Sequence, residues 1–330
     1  MKDEEMEYTR LGLSGLSISR IALGTMGFGD GSREKWALGY DGAAPFFQQA
    51  LDLGITFWDT ANIYSFGASE EIVGRAIKQF ARREDIVLAT KVHQHMHDGR
   101  GGSGLSRKAI MEQVDASLTR LGIDYIDLYQ VHRFDPDTPV EETMEALHDV
   151  VKVGKARYLG ASSMYAWQFA KMQFVAQLNG WTRFVSMQNQ YNLVQRGEEQ
   201  EMFPLLADQG VGSLPWSPLA AGVVARPWGA TDTKRGRDNP STDFDGRPLW
   251  QDSDRPTIDA VERIANDRGV SMATIALAWV LRNPVVDAPI VGATKDHHLP
   301  AAVAALDITL TDDEVTALEE HYVLREPTYF

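Results

Sequence analysis

The 330-residue chain contains no cysteine and no run of 18 apolar residues. The first absence excludes disulfides, thiol nucleophiles and cysteine-ligated metals, and it favours a reducing compartment such as the cytoplasm. The second argues against a transmembrane helix, so no membrane association is expected. The first ten residues, MKDEEMEYTR, are mostly charged or polar, and a secretory signal peptide is therefore not expected there.

Positive charge is also scarce, since 46 acidic residues stand against 32 lysines and arginines and give a net charge of −14. A negatively charged protein is repelled by nucleic acid phosphates and by anionic membrane surfaces, so neither is an expected partner. The acidic composition fits a high-salt cytoplasm, where salt screens self-repulsion, and it fits an ordinary acidic enzyme equally well. In both cases a small molecule is the expected ligand.

Short apolar segments rich in β-branched residues alternate with longer segments of helical periodicity. Eight such segments, with helices between them and no change of composition, predict an α/β fold, a (β/α)8 TIM barrel formed by residues 1–330 as a single domain. A doubly wound sheet is the alternative, but the G-x-G-x-x-G turn that usually follows its first strand is absent from that position. The predicted strands lie in IALGTM, TFWDTA, IVLATKV, IDLYQVH, ARYLGAS, RFVSMQNQY, GSLPWSP and APIVGA.

Three segments fall outside this repeat. We expect residues 8–20 to form an N-terminal hairpin and residues 226–256 to form a long loop after strand seven. The residues from Thr311 are expected to form an extra C-terminal helix. A loop of that length is typical of a lid or a disordered segment. Within the repeat, Ser69 and Ser106 stand where serine N-caps would begin two of the helices.

Polar residues collect at the predicted carboxyl ends of the strands, where barrel enzymes place their active sites. Asp59 ends strand two and Tyr64 follows it, Lys91 ends strand three, and His132 ends strand four. Each residue alone also has an ordinary structural interpretation, such as a loop cap or a packed ring. A lysine in an apolar strand nevertheless needs an anionic partner, because burying an unpaired ammonium is costly. Asp59, on the neighbouring strand, is the predicted partner.

The segment FWDTANIYSFGASEEIVGRAI, which contains Asp59 and Tyr64, resembles the signature of the aldo-keto reductases. VLATKV resembles the strand that carries the lysine of that family, and YIDLYQVHRFDPDTPVEETMEAL the strand that carries its histidine. The likeness continues through YLGASSMYAWQ, SMQNQYNL, PWSPLAAG and PIVGATKDHHL. It looks greatest for a bacterial and archaeal branch with tryptophan at position 216. The resemblance implies a barrel enzyme that interconverts aldehydes or ketones and alcohols with a nicotinamide cofactor.

The resemblance assigns roles to four catalytic residues. Tyr64 would donate a proton to the carbonyl oxygen, and His132 would orient that oxygen. An unperturbed phenol has a pKa near 10 and is a poor acid or base at neutral pH, whereas a cation within about 4–6 Å favours the phenolate. Lys91 would supply that charge, and Asp59 would hold Lys91 by an ion pair.

The expected cofactor site departs from the family pattern at several positions. Ser163 stands where the family usually has asparagine, so one contact to the cofactor amide would be shorter or mediated by water. Trp216 replaces the tyrosine that stacks on the nicotinamide, and its indole supplies the same π-face. Ala301 and Ala302 replace a Glu-Asn pair that often holds the adenine, so adenine binding is expected to be weaker or differently built.

At the adenosine end, Thr294 and Lys295 favour the 2′-phosphate of NADP(H), whereas His298 stands where arginine is common. NADP(H) is therefore favoured, and NAD(H) is the alternative. The full set of expected cofactor residues is Thr25, Met26, Asp59, Ser162, Ser163, Gln188, Trp216, Ser217, Pro218, Leu219, Gly222, Gly292, Thr294, Lys295 and His298.

The substrate pocket is expected to be lined by Phe28, Trp36 and Phe134 together with Tyr64 and His132. Ordinary packing is the alternative for the three aromatic residues outside the catalytic group. The expected substrate is a small-molecule carbonyl or alcohol.

The sequence leaves two alternatives to this interpretation. His93, His95 and His97 alternate after strand three and could bind a metal, as in amidohydrolase-like barrels. That arrangement normally follows the first strand, and further ligands beyond His132 are not evident, so a loop is the favoured interpretation and no metal is expected. The second alternative is a cofactor-sensing subunit of a membrane channel, which the intact catalytic residues do not exclude.

Overall fold

Ten strands are present in the computed structural model, which describes residues 6–31, 35–230 and 250–327. Eight of them form one parallel sheet in the order β10-β3-β4-β5-β6-β7-β8-β9. The strands are β1 (Tyr8–Arg10), β2 (Ser17–Ser19), β3 (Ala22–Gly24), β4 (Phe57–Asp59), β5 (Val87–Val92), β6 (Ile126–Val131), β7 (Ala156–Ser162), β8 (Phe184–Gln188), β9 (Gly212–Ser213) and β10 (Ile290–Gly292).

The sheet closes on itself into a barrel. Beyond the ends of β9 and β10, the backbone N–H of Asp287 donates to the carbonyl of Ser213 at 3.0 Å, and that of Ile290 donates to Pro215 at 2.8 Å. Ser213 and Val286 also form a parallel bridge. The predicted (β/α)8 barrel is confirmed, and each of its eight strands lies in the segment predicted for it.

Helices surround the barrel and connect its strands. One of them, at Arg255–Arg268, was not predicted, and it shares the connection between β9 and β10 with the next helix. The described helices are α1 (Tyr40–Asp52), α2 (Ala68–Phe80), α3 (Arg107–Leu121), α4 (Val140–Lys152), α5 (Ala166–Asn179), α6 (Met202–Gln209), α7 (Arg255–Arg268), α8 (Met272–Leu281), α9 (His298–Val303) and α10 (Asp312–Glu319). Within residues 6–31, 35–230 and 250–327, no helix has both the length and the apolar composition that a membrane span requires.

The predicted helix caps are partly correct. Ser106 caps α3 by accepting a hydrogen bond from the backbone N–H of Ala109. Ser69 does not cap α2, because that helix already begins at Ala68. Its hydroxyl is instead fully buried and lies 2.9 Å from the hydroxyl of Thr25.

The segments outside the repeat are the hairpin, the long loop and the last helix. Strands β1 and β2 pair antiparallel, which confirms the hairpin. Helix α10 is the predicted C-terminal helix, and Thr311 caps it by accepting from the N–H of Glu314. Most of the predicted long loop, residues 231–249, lies outside the described residues.

The hairpin closes the amino end of the barrel. Leu11 and Ile18 are fully buried there and pack with barrel residues such as Phe57 and Leu128. The N–H of Gly12 donates to Oδ2 of Asp287 at 2.7 Å. With this end filled by apolar side chains, a ligand is expected at the opposite end, where the parallel strands terminate.

Asp287 makes the stability of this closed end depend on pH. Burial raises the pKa of Asp287 to about 6, against the opposing effects of the Gly12 hydrogen bond and the charge of Arg20. A carboxyl whose pKa is raised on folding stabilises the protein fully below its unfolded pKa of 3.8 and loses that contribution as the pH rises through about 6.

The Asp287→Asn variant is therefore expected to be more stable than the wild type at pH 7.5, by about 1–2 kcal/mol after solvent screening. The asparagine oxygen still accepts from Gly12, and no charge is buried. Urea unfolding at pH 7.5 and pH 4 measures the effect, and the advantage should shrink at the lower pH. A variant less stable than wild type at pH 7.5 would contradict the assigned cause.

Candidate active site

Lys91, at the carboxyl end of β5, is the centre of the site. Its Nζ lies 2.5 Å from Oδ1 of Asp59, 2.8 Å from the carbonyl oxygen of Thr60 and 3.1 Å from the hydroxyl of Tyr64. An ammonium has three N–H donors and no acceptor, so all three are used. The phenol oxygen of Tyr64 therefore accepts from Lys91, and the phenol proton is left for a different acceptor.

The charge of Lys91 is maintained by its partners. Burial alone would lower the pKa of this fully buried lysine, but the charges and hydrogen bonds of Asp59 and Tyr64 outweigh burial and raise that pKa. Lys91 is therefore an ammonium at neutral pH. The predicted ion pair with Asp59 is present.

The second carboxylate oxygen of Asp59 is held by two amides. Oδ2 accepts from Nε2 of Gln188 at 2.8 Å and from Nε2 of Gln130 at 3.1 Å. Gln188 was expected to contact the cofactor, whereas Gln130 was not predicted at all. The one available signal for Gln130 was its position on β6, directly opposite Lys91 in the register of the two strands.

Tyr64 is presented by a strained turn. Residues Tyr64–Gly67 form a short turn in which Ser65 (φ 46°, ψ 41°) and Phe66 (φ 51°, ψ 40°) adopt left-handed conformations. Such conformations cost about 1 kcal/mol or more per non-glycine residue and are typical of functional sites. Gly29 permits the turn, because a Cβ at that position would collide with the side chain of Ser65.

A partly buried ion pair holds the far end of the same turn. Oε2 of Glu70, on α2, accepts from Nε of Arg120, on α3, at 2.6 Å. Oε1 of Glu70 accepts from the hydroxyl of Thr90, the neighbour of Lys91, also at 2.6 Å. A Cβ on Gly67 would lie 2.5 Å from Cδ of Arg120, so the arginine packs directly on the turn.

His132, just beyond β6, completes the group. It is 9% exposed, and its ring lies edge-on to the ring of Tyr64, with the ring centroids 6.0 Å apart. Its backbone N–H donates to the carbonyl of Val92 at 2.8 Å. The structure thus brings Asp59, Tyr64, Lys91 and His132 together at the carboxyl end of the barrel.

Two departures from the family pattern prove to be linked. Nε1 of Trp216 donates to the hydroxyl of Ser163 at 2.9 Å, and that hydroxyl lies 3.3 Å from the hydroxyl of Ser162. An indole N–H at a partly buried position needs an acceptor, and Ser163, at φ 43°, provides it. The hydroxyl of Ser163 therefore holds the indole N–H of Trp216.

Asn189 contributes a free donor beside these residues. Its Oδ1 accepts from the hydroxyl of Ser213 at 3.0 Å, and its backbone carbonyl accepts from the N–H of Trp216 at 2.9 Å. Its buried Nδ2 has no hydrogen-bond partner among the described residues. Buried amide donors are rarely left unsatisfied, so the site suits a ligand with acceptor atoms.

Basic side chains lie around His298, in the loop after β10. Nδ1 of His298 accepts from the backbone N–H of Thr294 at 3.3 Å. Burial, followed by the positive charges of His297, Lys295 and Arg226, lowers the pKa of His298 to about 4. Every charge acting on this imidazole is positive, which is the environment that an anionic group would neutralise. Arg226 was not predicted as a site residue.

The loop after β9 carries Arg226 to this place. Gly222, at φ +92°, lies directly under the guanidinium, and a Cβ there would collide with it. Ser217 and Leu219 are partly exposed in the same loop, whereas Pro218 is buried.

The remaining predicted cofactor residues are placed less uniformly. Thr25 is fully buried, and its hydroxyl donates to the carbonyl of Asp59 at 3.0 Å, so its side chain is used inside the protein. Met26 is partly buried, and Gly292 is exposed at the end of β10. Ala302 is fully buried in the core and presents no surface to adenine.

The predicted pocket residues separate into two groups. Phe28 is fully buried and packs against Phe47, with the ring centroids 5.2 Å apart, so it presents no surface to a ligand. Trp36 lies beside Gly27 and is partly exposed. Phe134 packs on Trp167 at 6.0 Å, near the end of β6.

The three alternating histidines lie in the loop beyond β5, as predicted. His93 is partly buried near Asp135, His95 pairs with Asp98 at 3.3 Å, and His97 pairs with Glu112 at 3.2 Å. They do not converge, and within residues 6–31, 35–230 and 250–327 no group of three histidine or acidic side chains is arranged to hold a metal.

Comparison with known proteins agrees with this geometry. The model of the aldo/keto reductase family matches residues 20–323. The chain belongs to the aldo-keto reductase family. It is therefore an NAD(P)H-dependent oxidoreductase that interconverts carbonyl compounds and alcohols.

Several relatives are similar over almost their whole length. Versiconal hemiacetal acetate reductase of Aspergillus parasiticus is 45% identical, covering 96% of this chain and 97% of that protein. An aldo-keto reductase of Alternaria alternata is 40% identical, covering 99% and 94%. A protein of Saccharomyces cerevisiae provisionally named an aryl-alcohol dehydrogenase is 38% identical, covering 96% and 97%. These relatives are fungal, so the predicted bacterial or archaeal branch is not borne out.

Proposed function

We propose that Tyr64 is the proton donor to the substrate oxygen during carbonyl reduction and the acceptor of that proton during alcohol oxidation. The observation that carries this proposal is the hydrogen bond from Lys91 to the phenol oxygen. All three N–H groups of the Lys91 ammonium are used in hydrogen bonds, so the phenol keeps its own proton for the substrate. The positive charge of Lys91 lies 3.1 Å from that oxygen. It therefore stabilises the phenolate that remains after the proton leaves. His132, beside the ring of Tyr64, orients the substrate oxygen by a hydrogen bond.

The cofactor is held by the residues around Ser162 and Trp216. The partly exposed indole of Trp216 offers a π-face to the nicotinamide, and Ser162 and Gln188 offer polar atoms to its carboxamide. When bound, the reduced nicotinamide supplies the hydride. The linked Ser163–Trp216 pair supports this assignment, because it fixes the indole in one orientation.

NADP(H) is the proposed cofactor in preference to NAD(H). Lys295 and Arg226 act as positive charges on His298 at the adenosine end of the expected site, and a 2′-phosphate would pair with them. We further propose that residues 1–330 act as one domain in the cytoplasm.

The names of the relatives support carbonyl substrates that include aromatic compounds. Measuring NADPH consumption with matched aryl and alkyl aldehydes tests this substrate range.

The Lys295→Met variant is expected to bind NADPH roughly 10-fold more weakly or worse, with NADH affinity within about twofold of wild type, because a hydrogen bond between two charged groups is lost. Fluorescence quenching by both nucleotides measures the two dissociation constants. Lys171→Met removes the same charge from the exposed surface of α5 and should change neither. Equal weakening of NADPH and NADH by Lys295→Met would contradict the assigned 2′-phosphate contact.

A further inference from the structure

We propose that Gln130 is a positioning residue for the reaction, acting with Gln188 as an amide clamp that fixes the carboxylate of Asp59 and, through it, the ammonium of Lys91. The inference rests on the proposed role of Tyr64 as proton donor. Here the amide clamp means the side chains of Gln130 and Gln188 and their hydrogen bonds.

The clamp is a closed set of hydrogen bonds. Asp59 as a carboxylate can only accept, so each amide must present its N–H to Oδ2. Nε2 of Gln188 also lies 3.3 Å from Oε1 of Gln130 and donates to it. All three side chains are buried, with exposed fractions of 2% or less. Oδ2 of Asp59 is therefore satisfied by two donors in the protein interior.

The clamp also fixes which atom Gln188 can offer to a ligand. Both N–H groups of its amide are donated inside the clamp, to Asp59 and to Gln130. Its Oε1 is the atom left for a ligand, so Gln188 can only accept. Gln188 thereby connects a ligand at the carboxamide position to the carboxylate that holds Lys91.

The neighbouring strand is shaped to admit Gln130. Gly160, on β7, lies opposite Gln130 in the register of the two strands. A Cβ on Gly160 would lie 3.0 Å from Cγ of Gln130 and 2.5 Å from the hydroxyl of Ser186 on β8. The absence of a side chain at Gly160 therefore gives the glutamine room to reach Asp59.

The function of the clamp follows from the position of Lys91. Lys91 reaches Tyr64 with one of three donors, and the other two depend on Asp59 and on the backbone of Thr60. If Oδ2 of Asp59 lost its donors, the carboxylate would rotate toward other partners, because leaving a buried charged acceptor unsatisfied is costly. The donor to Tyr64 would then be misplaced, although every catalytic side chain would still be present.

The Gln130→Met variant, which keeps the side-chain length and removes the amide, tests this role. The expected result is a kcat lower by roughly 10- to 100-fold, the range for hydrogen bonds to charged groups, with NADPH affinity within about twofold and a shifted pH profile of kcat. In an Asp59→Asn background the same substitution should have little further effect, because Gln130 acts through Asp59. Additive effects of the two substitutions, or an unchanged kcat and pH profile, would overturn the proposal.

Control variants distinguish loss of the clamp from a packing defect and from an error in the assignment of the proton donor. Ser186→Ala changes the same buried layer at a hydroxyl that has no hydrogen-bond partner among the described residues, and it should leave kcat unchanged.

If Gln130→Met does not fold, Gln130→Glu replaces it. The activity of Gln130→Glu should be near that of the wild type at low pH, and it should fall as the pH rises and a second carboxylate forms beside Asp59. A pH profile of Gln130→Glu identical to wild type would overturn the clamp. Tyr64→Phe is assayed in parallel, because retained turnover there contradicts the proton donor and not the clamp.

Discussion

Tyr64→Phe is expected to lower kcat for carbonyl reduction by roughly 10²- to 10⁴-fold, the usual contribution of a general acid, while NADPH affinity stays within about twofold of wild type. The variant keeps the ring that faces His132 and removes the one proton that Lys91 leaves available. Steady-state kinetics measure kcat, and fluorescence quenching measures cofactor binding.

The matched control for this experiment is Tyr8→Phe. The hydroxyl of Tyr8, in the hairpin at the closed end of the barrel, donates to the carbonyl of Gly54 at 2.9 Å. Its removal should leave kcat unchanged. Near wild-type turnover in Tyr64→Phe would show that another group donates the proton, even with the Lys91–Asp59 ion pair intact.

The barrel strands could be predicted because each is a short apolar run followed by a helix. Helix α7 escaped prediction for a specific reason. Pro256 lies in the first turn of this helix, where the missing N–H costs nothing. In the sequence, the same proline is equally typical of the end of the Gly/Pro-rich loop that precedes the helix. A proline at a loop–helix junction therefore has two interpretations until the position of the helix is known.

The residues proposed as catalytic could be predicted from the sequence for a different reason from the residues that support them. Lys91 and Asp59 carry charge in apolar strands, which demands a partner and so attracts attention in the sequence. Gln130 is neutral, and only the register opposite Lys91 reveals its amide as a donor to Asp59. Arg226 could not be predicted for another reason. It lies in the loop after β9, and only the turn at Gly222 places its guanidinium near the site.

Lys91→Met is expected to lower kcat at least about 100-fold and to destabilise the protein by about 3–5 kcal/mol, the usual cost of removing one partner of a buried ion pair. The carboxylate of Asp59 would keep its two amide donors and lose its counter-charge. The pKa of Lys91 is raised above 10.5 in the folded protein. Its stabilising contribution is therefore fully present below pH 10.5 and is lost as the pH rises through the folded-state value.

The double variant Asp59→Asn/Lys91→Met separates the two effects of this substitution. With both charges removed, no unpaired ion is buried, and the asparagine oxygen still accepts from Gln130 and Gln188. Urea unfolding should show that most of the lost stability returns, whereas kcat should stay as low as in Lys91→Met, since no cation faces Tyr64. Recovery of kcat together with stability would mean that Lys91 supports the fold without acting on the phenol. A double variant that recovers stability alone would locate the catalytic role of Lys91 in its charge at 3.1 Å from the Tyr64 hydroxyl.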